Sequence, residues 1–362
     1  MKKKFLLAVQ GEGRGHMMQA LTLREILVDN GHEVCCVVMG ACGDRKIPDF
    51  FFEKIKAPVE LLPSPNFVTD KKNKSINVGK SVGNFFMNIK KYRKSLNRID
   101  ELMKEHKPDL VINFFDVMMG LYYQFRKPAV PMICIAHQYI YLHPDFKFPD
   151  GFAMDKWAVK FFTKVTASRS KKNLALSFYN LSEHSKSLRI VPPLLRKEIF
   201  ELPSEKEEFF LVYLVNNGYM EEIVEWHKLN PEIELHCFAD NPDFIKSNFQ
   251  YNKEKLFVHP INDKAFLEKM AKAKGLASTA GFESVCEAMY LGKPVLMVPV
   301  QGHYEQFCNS RDGHHAGAGV YDKSFDLGKL NEYTKHFNYN NPAFRQWVST
   351  ASSIIYTEIN AA

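Results

Sequence analysis

The stretch Gly275-Leu-Ala-Ser-Thr-Ala-Gly-Phe-Glu-Ser-Val-Cys-Glu-Ala-Met-Tyr-Leu-Gly-Lys-Pro-Val-Leu-Met-Val-Pro299 decides the fold, and it continues through Gln301, His303, Glu305 and Gln306 to Asn309. Residues 276–279 are apolar, few and end in small side chains, as a buried strand does. From Gly281 to Leu291 the apolar side chains Phe282, Val285 and Met289 recur at helical spacing. Gly292 tolerates a positive φ and Pro294 lacks the amide that would carry the helix on, so Gly-Lys-Pro stops it. Residues 295–298 form a second buried strand. Strand, tight turn, helix and strand make the unit of a parallel α/β sheet. The turn at Ala280-Gly281 then sets the positive end of a helix beyond the sheet's carboxyl edge. A diphosphate can sit there without a metal. Glu287, a turn and a half inside the helix, offers a carboxylate to the two hydroxyls of a ribose.

The order Ser-Thr-x-Gly-x-x-Ser-Val-x-Glu-Ala, then Gly-x-Pro, Val-Pro and Glu-Gln-x-x-Asn, resembles the donor-binding region of GT-B glycosyltransferases. It is similar to that of the UDP-glycosyltransferase superfamily and of the peptidoglycan-precursor N-acetylglucosaminyltransferase. The resemblance implies two Rossmann-like, doubly wound α/β domains facing each other across a cleft. It implies a nucleotide sugar, UDP-linked, as co-substrate and no separate cofactor. Residue by residue, Glu287 would hold the uridine ribose, and Ser284 with Val285 would line the diphosphate beside Thr279 and Gly281. Gln306 with Glu305 would meet the donor sugar, and Asn309 closes the motif.

Composition agrees with a protein of this kind. At 362 residues, with 46 % hydrophobic and 25 % charged residues, the chain can build two separate cores. No run of about 18 apolar residues would cross a bilayer. The opening Met-Lys-Lys-Lys-Phe-Leu-Leu-Ala-Val has a basic head, but its apolar run is too short for a signal peptide and reads as the first core strand. The 7 cysteines, an odd number without a Cys-x-x-Cys pair, point to reduced thiols in a cytoplasm and not to a metal site. No Asp-x-Asp occurs, so the donor phosphates would be neutralised by helix dipole and turn amides instead of a bound metal. Residues 1–190 hold 31 Lys and Arg against 18 Asp and Glu, while the remainder hold 17 against 23. The basic half therefore faces something anionic. The chain carries no recognised nucleic-acid motif, which favours a membrane surface over nucleic acid.

Along the chain, residues 4–10 form a strand, and Gly11-Glu-Gly-Arg-Gly-His16 is a glycine-rich turn opening a helix that Gly31 stops. A dinucleotide fingerprint would place its third Gly where His16 stands and an acid at the end of the next strand, which instead ends in Met-Gly-Ala. In the resembling family a Gly-rich loop ending in His packs against diphosphate and acceptor, which assigns Gly13, Arg14 and Gly15 to the donor. His16 either packs at the helix start or acts as base on an acceptor hydroxyl, with its pKa lowered by the positive helix end. Glu12 could orient or replace it.

Residues 44–80 read as loop and 78–107 as a long helix with a basic face. The strand 108–116 delivers Asp116 to the carboxyl edge, either as a helix cap or as a second catalytic group. The next strand brings His137 and Gln138 to the same edge, on the acceptor side. Residues 150–172 interleave aromatics and lysines, and read either as a half-buried helix with snorkelling lysines or as a lipid-facing one. A second series of strands and helices starts at Phe209, with Asn217-Gly218 at its glycine-turn position and the backbone around His259 beside the nucleobase. The expected division is an acceptor-side domain 1–193, a linker 194–207, a donor domain 208–340, and a helix at 341–362 returning to the first domain.

The function expected is therefore a metal-independent, inverting transfer of a sugar from a UDP-sugar to an acceptor hydroxyl. The acceptor is unidentified, with a lipid-linked envelope precursor at the inner membrane face as one possibility. A nucleotide-sugar epimerase of the same fold and a non-catalytic nucleotide-binding protein are the alternatives.

Overall fold

The computed structural model describes residues 2–11, 13–41, 47–65, 87–182, 185–214, 217–239 and 255–361. The chain divides into two compact units, Met1–Arg196 with Trp347–Ala362, and Lys197–Gln346.

The first unit is built on seven parallel strands: β1 (Lys4–Gln10), β2 (Glu33–Ala41), β3 (Val59–Pro63), β4 (Leu110–Phe114), β5 (Met132–Ala136), β6 (Lys172–Leu176) and β7 (Leu188–Val191). Their order is β3-β2-β1-β4-β5-β6-β7. Central strands such as Phe5–Val9 and Val111–Phe114 are buried along their whole length, as expected where helices cover both faces of a parallel sheet. Helices Ile89–His106, Val117–Arg126 and Ala153–Thr166 pack in succession, while Arg14–Asp29 packs with Asp49–Ile55 and Ala351–Asn360. Glu358 of the last helix pairs with both Lys172 and Arg189, and Trp347 Nε1 donates to Ser177 O at 3.0 Å.

The second unit repeats the plan with six parallel strands: β8 (Phe209–Leu214), β9 (Glu234–Ala239), β10 (Leu256–Pro260), β11 (Gly275–Ser278), β12 (Val295–Met297) and β13 (Gly319–Tyr321). The order β10-β9-β8-β11-β12-β13 is the doubly wound one, with its reversal between β8 and β11. Phe210, Val212, Leu214, Ile223, Leu296 and Leu327 meet in its core.

Two readings of local structure are corrected. The segment read as loop at 44–80 contains the helix Asp49–Ile55 and the strand β3. Phe51 and Ile55, one turn apart, are buried, and β3 is an edge strand, where Pro63 is tolerated. The helix expected from residue 78 is described as Ile89–His106; residues 78–86 lie outside the described residues. The single C-terminal helix is two, Pro342–Ser349 and Ala351–Asn360. Thr350 stands between them with its Oγ1 donating to Trp347 O at 2.7 Å, a local bond that competes with the helical ladder.

Candidate active site

In the first unit the strand order reverses between β1 and β4, so a crevice opens beyond their carboxyl ends. After β1 the Gly11 amide donates to Gly40 O at 3.1 Å, and Gly13, at φ 87°, caps the helix Arg14–Asp29 without a side chain. Gly15 and Arg14 lie in the first turn; Glu12 lies outside the described residues. His16 is buried, and its ring stacks on Phe115 with centroids 5.9 Å apart. Its Nδ1 stands 3.4 Å from Gln19 Oε1, and its Nε2 stands 3.4 Å from Gln138 Nε2. With the proton on Nδ1, shared with Gln19 Oε1, Nε2 keeps its lone pair on the side of the Gln138 amide; this tautomer follows from the amide orientations as assigned. Burial lowers the imidazole pKa to about 4, opposed by the hydrogen bond to Gln19. The ring is neutral at pH 7, with the Nε2 lone pair in place.

Asp116 follows β4 and caps the helix Val117–Arg126, its Oδ1 accepting from Met119 N at 2.8 Å. Asn113 braces the same turn, accepting from Asp116 N at 2.7 Å and donating to Asp116 O at 3.0 Å. Burial raises the Asp116 carboxyl to about 7, opposed by the backbone amides of Met119, Gly40 and Met118. His137 is buried with Nδ1 donating to Leu176 O at 2.7 Å and its ring edge-on to Phe178. The structure thus brings His16 and Gln138 together, and gives Asp116 and His137 structural bonds of their own.

In the second unit the helix Phe282–Tyr290 starts at Gly281, after Ala280 at φ 45°. Gly281 supplies no side-chain cap. The leading amides of a helix have no intrahelical carbonyl, so this end suits an anion. Asn309 is buried and donates to Ala280 O at 3.2 Å, pinning the turn. Ser284 is half-buried and donates to Gly281 O at 3.2 Å. Val285 turns its side chain into the core at 1 % exposure and its amide bonds to Gly281 O, so it offers a ligand nothing by its side chain. Thr279 and Glu287 are nearly enclosed. Gln306 Oε1 accepts from Val300 N at 2.8 Å and fixes the loop after β12, leaving its amide hydrogens to other partners; Glu305 beside it is half-buried. Asn217 and Gly218 lie in a 3-10 turn after β8. His259, at the end of β10, bonds through Nε2 to His236 Nδ1 at 2.8 Å, and burial lowers its pKa to about 4.

Gln19 and Phe115 escaped the sequence reading. Gln19 is three residues beyond His16 on one helix, a spacing that makes side chains neighbours and could have exposed it. Among the described residues no group of three His, Cys, Asp or Glu side chains is placed to hold a metal ion.

Two doubly wound units, each with a helix start beyond its carboxyl edge, are the layout of the GT-B fold. The model of glycosyl transferase family 1 matches residues 3–342, and the chain belongs to that family. No curated protein matches it. Among solved structures, the fold is similar to that of Phytolacca americana UGT2 complexed with UDP-2-fluoroglucose and pterostilbene (TM-score 0.65, 11 % identity, covering 100 % of this chain and 99 % of that one). It is also similar to CalG4, the calicheamicin glycosyltransferase (TM-score 0.62, 15 % identity, 100 % and 98 % covered). Acinetobacter baumannii MurG is a third such structure (TM-score 0.58, 14 % identity, 99 % and 100 % covered).

Proposed function

We propose that the protein moves a sugar from a UDP-sugar to an acceptor hydroxyl by a single, inverting displacement that needs no metal. The observation that carries this reading is the uncapped helix start at Gly281, a site for a diphosphate on a chain of this family. His16 Nε2 takes the acceptor's proton as the acceptor oxygen forms a bond to the anomeric carbon. The bond from that carbon to the diphosphate oxygen breaks, and UDP leaves with the electron pair, its charge held by the helix start. Glu287 holds the ribose, and Gln306 with Glu305 the sugar. UDP-2-fluoroglucose in the Phytolacca americana structure supports a uridine donor.

The test is incubation with a panel of nucleotide sugars and acceptors in excess EDTA, with the product's anomeric configuration read by NMR. A UDP-sugar should be consumed only when an acceptor is present, with inversion. His16→Ala should lower kcat by about 10²–10⁴ while UDP still binds. Activity lost in EDTA and restored by Mn²⁺ or Mg²⁺ would overturn the metal-free mechanism, and conversion of the donor alone would make the protein an epimerase.

For the acceptor, we infer a lipid-linked one met at the cytoplasmic membrane face. No helix among the described residues is long and apolar enough to cross a membrane, so attachment would be peripheral. On the helix Ala153–Thr166, Met154, Trp157 and Phe161 are 68 %, 54 % and 52 % exposed, and Trp157 stacks on Phe161. Lys156 and Lys160 flank them, and burial, with Lys156 and Lys164 adding to it, lowers the Lys160 pKa. Exposed aromatics among crowded cations suit an anionic interface. The protein should sediment with anionic liposomes at low salt; if it stays in the supernatant, a soluble acceptor replaces this reading.

A further inference from the structure

The second unit holds a cavity of about 520 Å³ at the edge of its sheet opposite the Gly281 turn. Leu291 and Lys293 enter its wall just before β12, and Ser204, Glu205 and Lys206 do so before β8. Tyr290, the last residue of the helix that starts at Gly281, also lines it. At 1.5 Å per residue that helix sets the two places about 13 Å apart.

Three cations converge on this cavity. Lys293 is 1 % exposed and donates from Nζ to Glu205 O. Arg345 donates from Nε to Tyr290 O at 2.8 Å and lies over the Tyr290 ring, and Lys206 Nζ lies 4.6 Å from the Tyr339 ring centroid. Part of this arrangement answers the negative end of a helix, since Arg345 and Ser204 bond the carbonyls of Tyr290 and Leu291. That leaves donors over. A guanidinium carries five N–H groups and an ammonium three. Among the described residues Lys293 and Arg345 have one carbonyl acceptor each, and none of the three cations forms an ion pair. The one carboxylate of the lining, Glu205, stands 3.8 Å from Lys272 Nζ. Burial lowers the Lys293 amine to about 8, against the pull of Glu205, so it is mainly protonated at pH 7. Over the lining residues alone the charge sums to two positive, the complement of a phosphomonoester dianion. Phe200, 47 % exposed, and Leu202 form an apolar wall beside it. The backbone here is fixed: Gly292, at φ 71°, packs so closely on Tyr339 O that no side chain fits.

We propose that this cavity binds a small organic phosphomonoester, its phosphate between Lys293, Arg345 and Lys206 and its organic part along Phe200 and Leu202. The site is separate from the donor site and does not depend on the reading of that site.

Titration calorimetry of the full chain with phenyl phosphate tests it, with phenol and inorganic phosphate as comparison probes. Phenyl phosphate should bind more tightly than either probe, and Arg345→Gln and Lys293→Met should each weaken it roughly tenfold or more, the effect of losing a charged hydrogen-bond partner. Lys228→Gln, on the surface of the same unit, should leave it unchanged. Arg345 is half-exposed, so its variant keeps the test open should Lys293→Met fail to fold. No binding, binding indifferent to Arg345→Gln, or inorganic phosphate binding as tightly as the ester would each overturn the proposal.

Discussion

The two units contain the same turn in the same place, and one side chain separates them. After β4 the chain passes through Phe115 at φ 60° to the helix cap Asp116 at φ −76°, ψ 123°. After β11, also the strand just past the reversal, it passes through Ala280 at φ 45° to the cap Gly281 at φ −74°, ψ 133°. Asp116 places its own carboxylate on the helix amides, and that helix start is closed. Gly281 has nothing to place there, so the same backbone presents an open anion site. A fold-level rule that ligands bind at this edge therefore applies to both units, but the cap residue decides which helix start takes an anion.

The sharpest way to break this comparison is Gly281→Asp. The backbone angle suits any residue, and a Cβ would meet nothing closer than Ser284 Oγ at 3.6 Å, so the fold should be kept. A fixed carboxylate about 4 Å from a diphosphate costs about 4 kcal/mol at the effective dielectric of a protein surface. UDP affinity should fall by about that much, and Gly281→Ser, a cap without charge, should lose less. Unchanged UDP affinity in a folded Gly281→Asp protein would remove this helix start from the donor site. A smaller effect is expected one and a half turns further on: Glu287→Ala should weaken UDP binding by roughly 1.5–3 kcal/mol, the worth of a charged hydrogen-bond partner. Should calorimetry find the same UDP affinity in the variant, the ribose is held elsewhere.

The closed turn has its own, smaller signature. The Asp116 carboxyl titrates near 7 in the fold because it is buried, against about 3.9 in an unfolded chain. Between those values the folded state holds a proton that the unfolded state has shed, so stability falls as pH rises from about 4 to about 7. Asp116→Asn retains a capping oxygen and removes the titration. Its difference from the parent protein should change across that window by at most about 1.4 kcal/mol per pH unit, whatever constant offset the amide brings. Urea unfolding curves that run parallel over the window would show that Asp116 remains ionised in the fold.

The strands other than β3, the helix after Gly281 and the left-handed Gly292 were legible because each rests on a local pattern: buried apolar runs, helical spacing, and a Gly-x-Pro stop. The helix Asp49–Ile55 was hidden because prolines on both sides outweighed the single pair Phe51 and Ile55. At the site, residue types could be named but not their state. Whether Asp116 caps or points outward depends on an oxygen position, whereas the inward turn of Val285 was already implied by its helical spacing with Phe282 and Met289. The pairing of His16 with Gln138 spans separate elements, β5's end and the first helix, and no spacing within one segment encodes it.

The second unit is one continuous segment, Lys197–Gln346, whereas the first is assembled from Met1–Arg196 and Trp347–Ala362. On a ribosome the later unit therefore has all of its residues before the earlier one does. Until Glu358 emerges, Lys172 and Arg189 lack the carboxylate that joins them, and the edge strand β7 waits for the helix that packs on it.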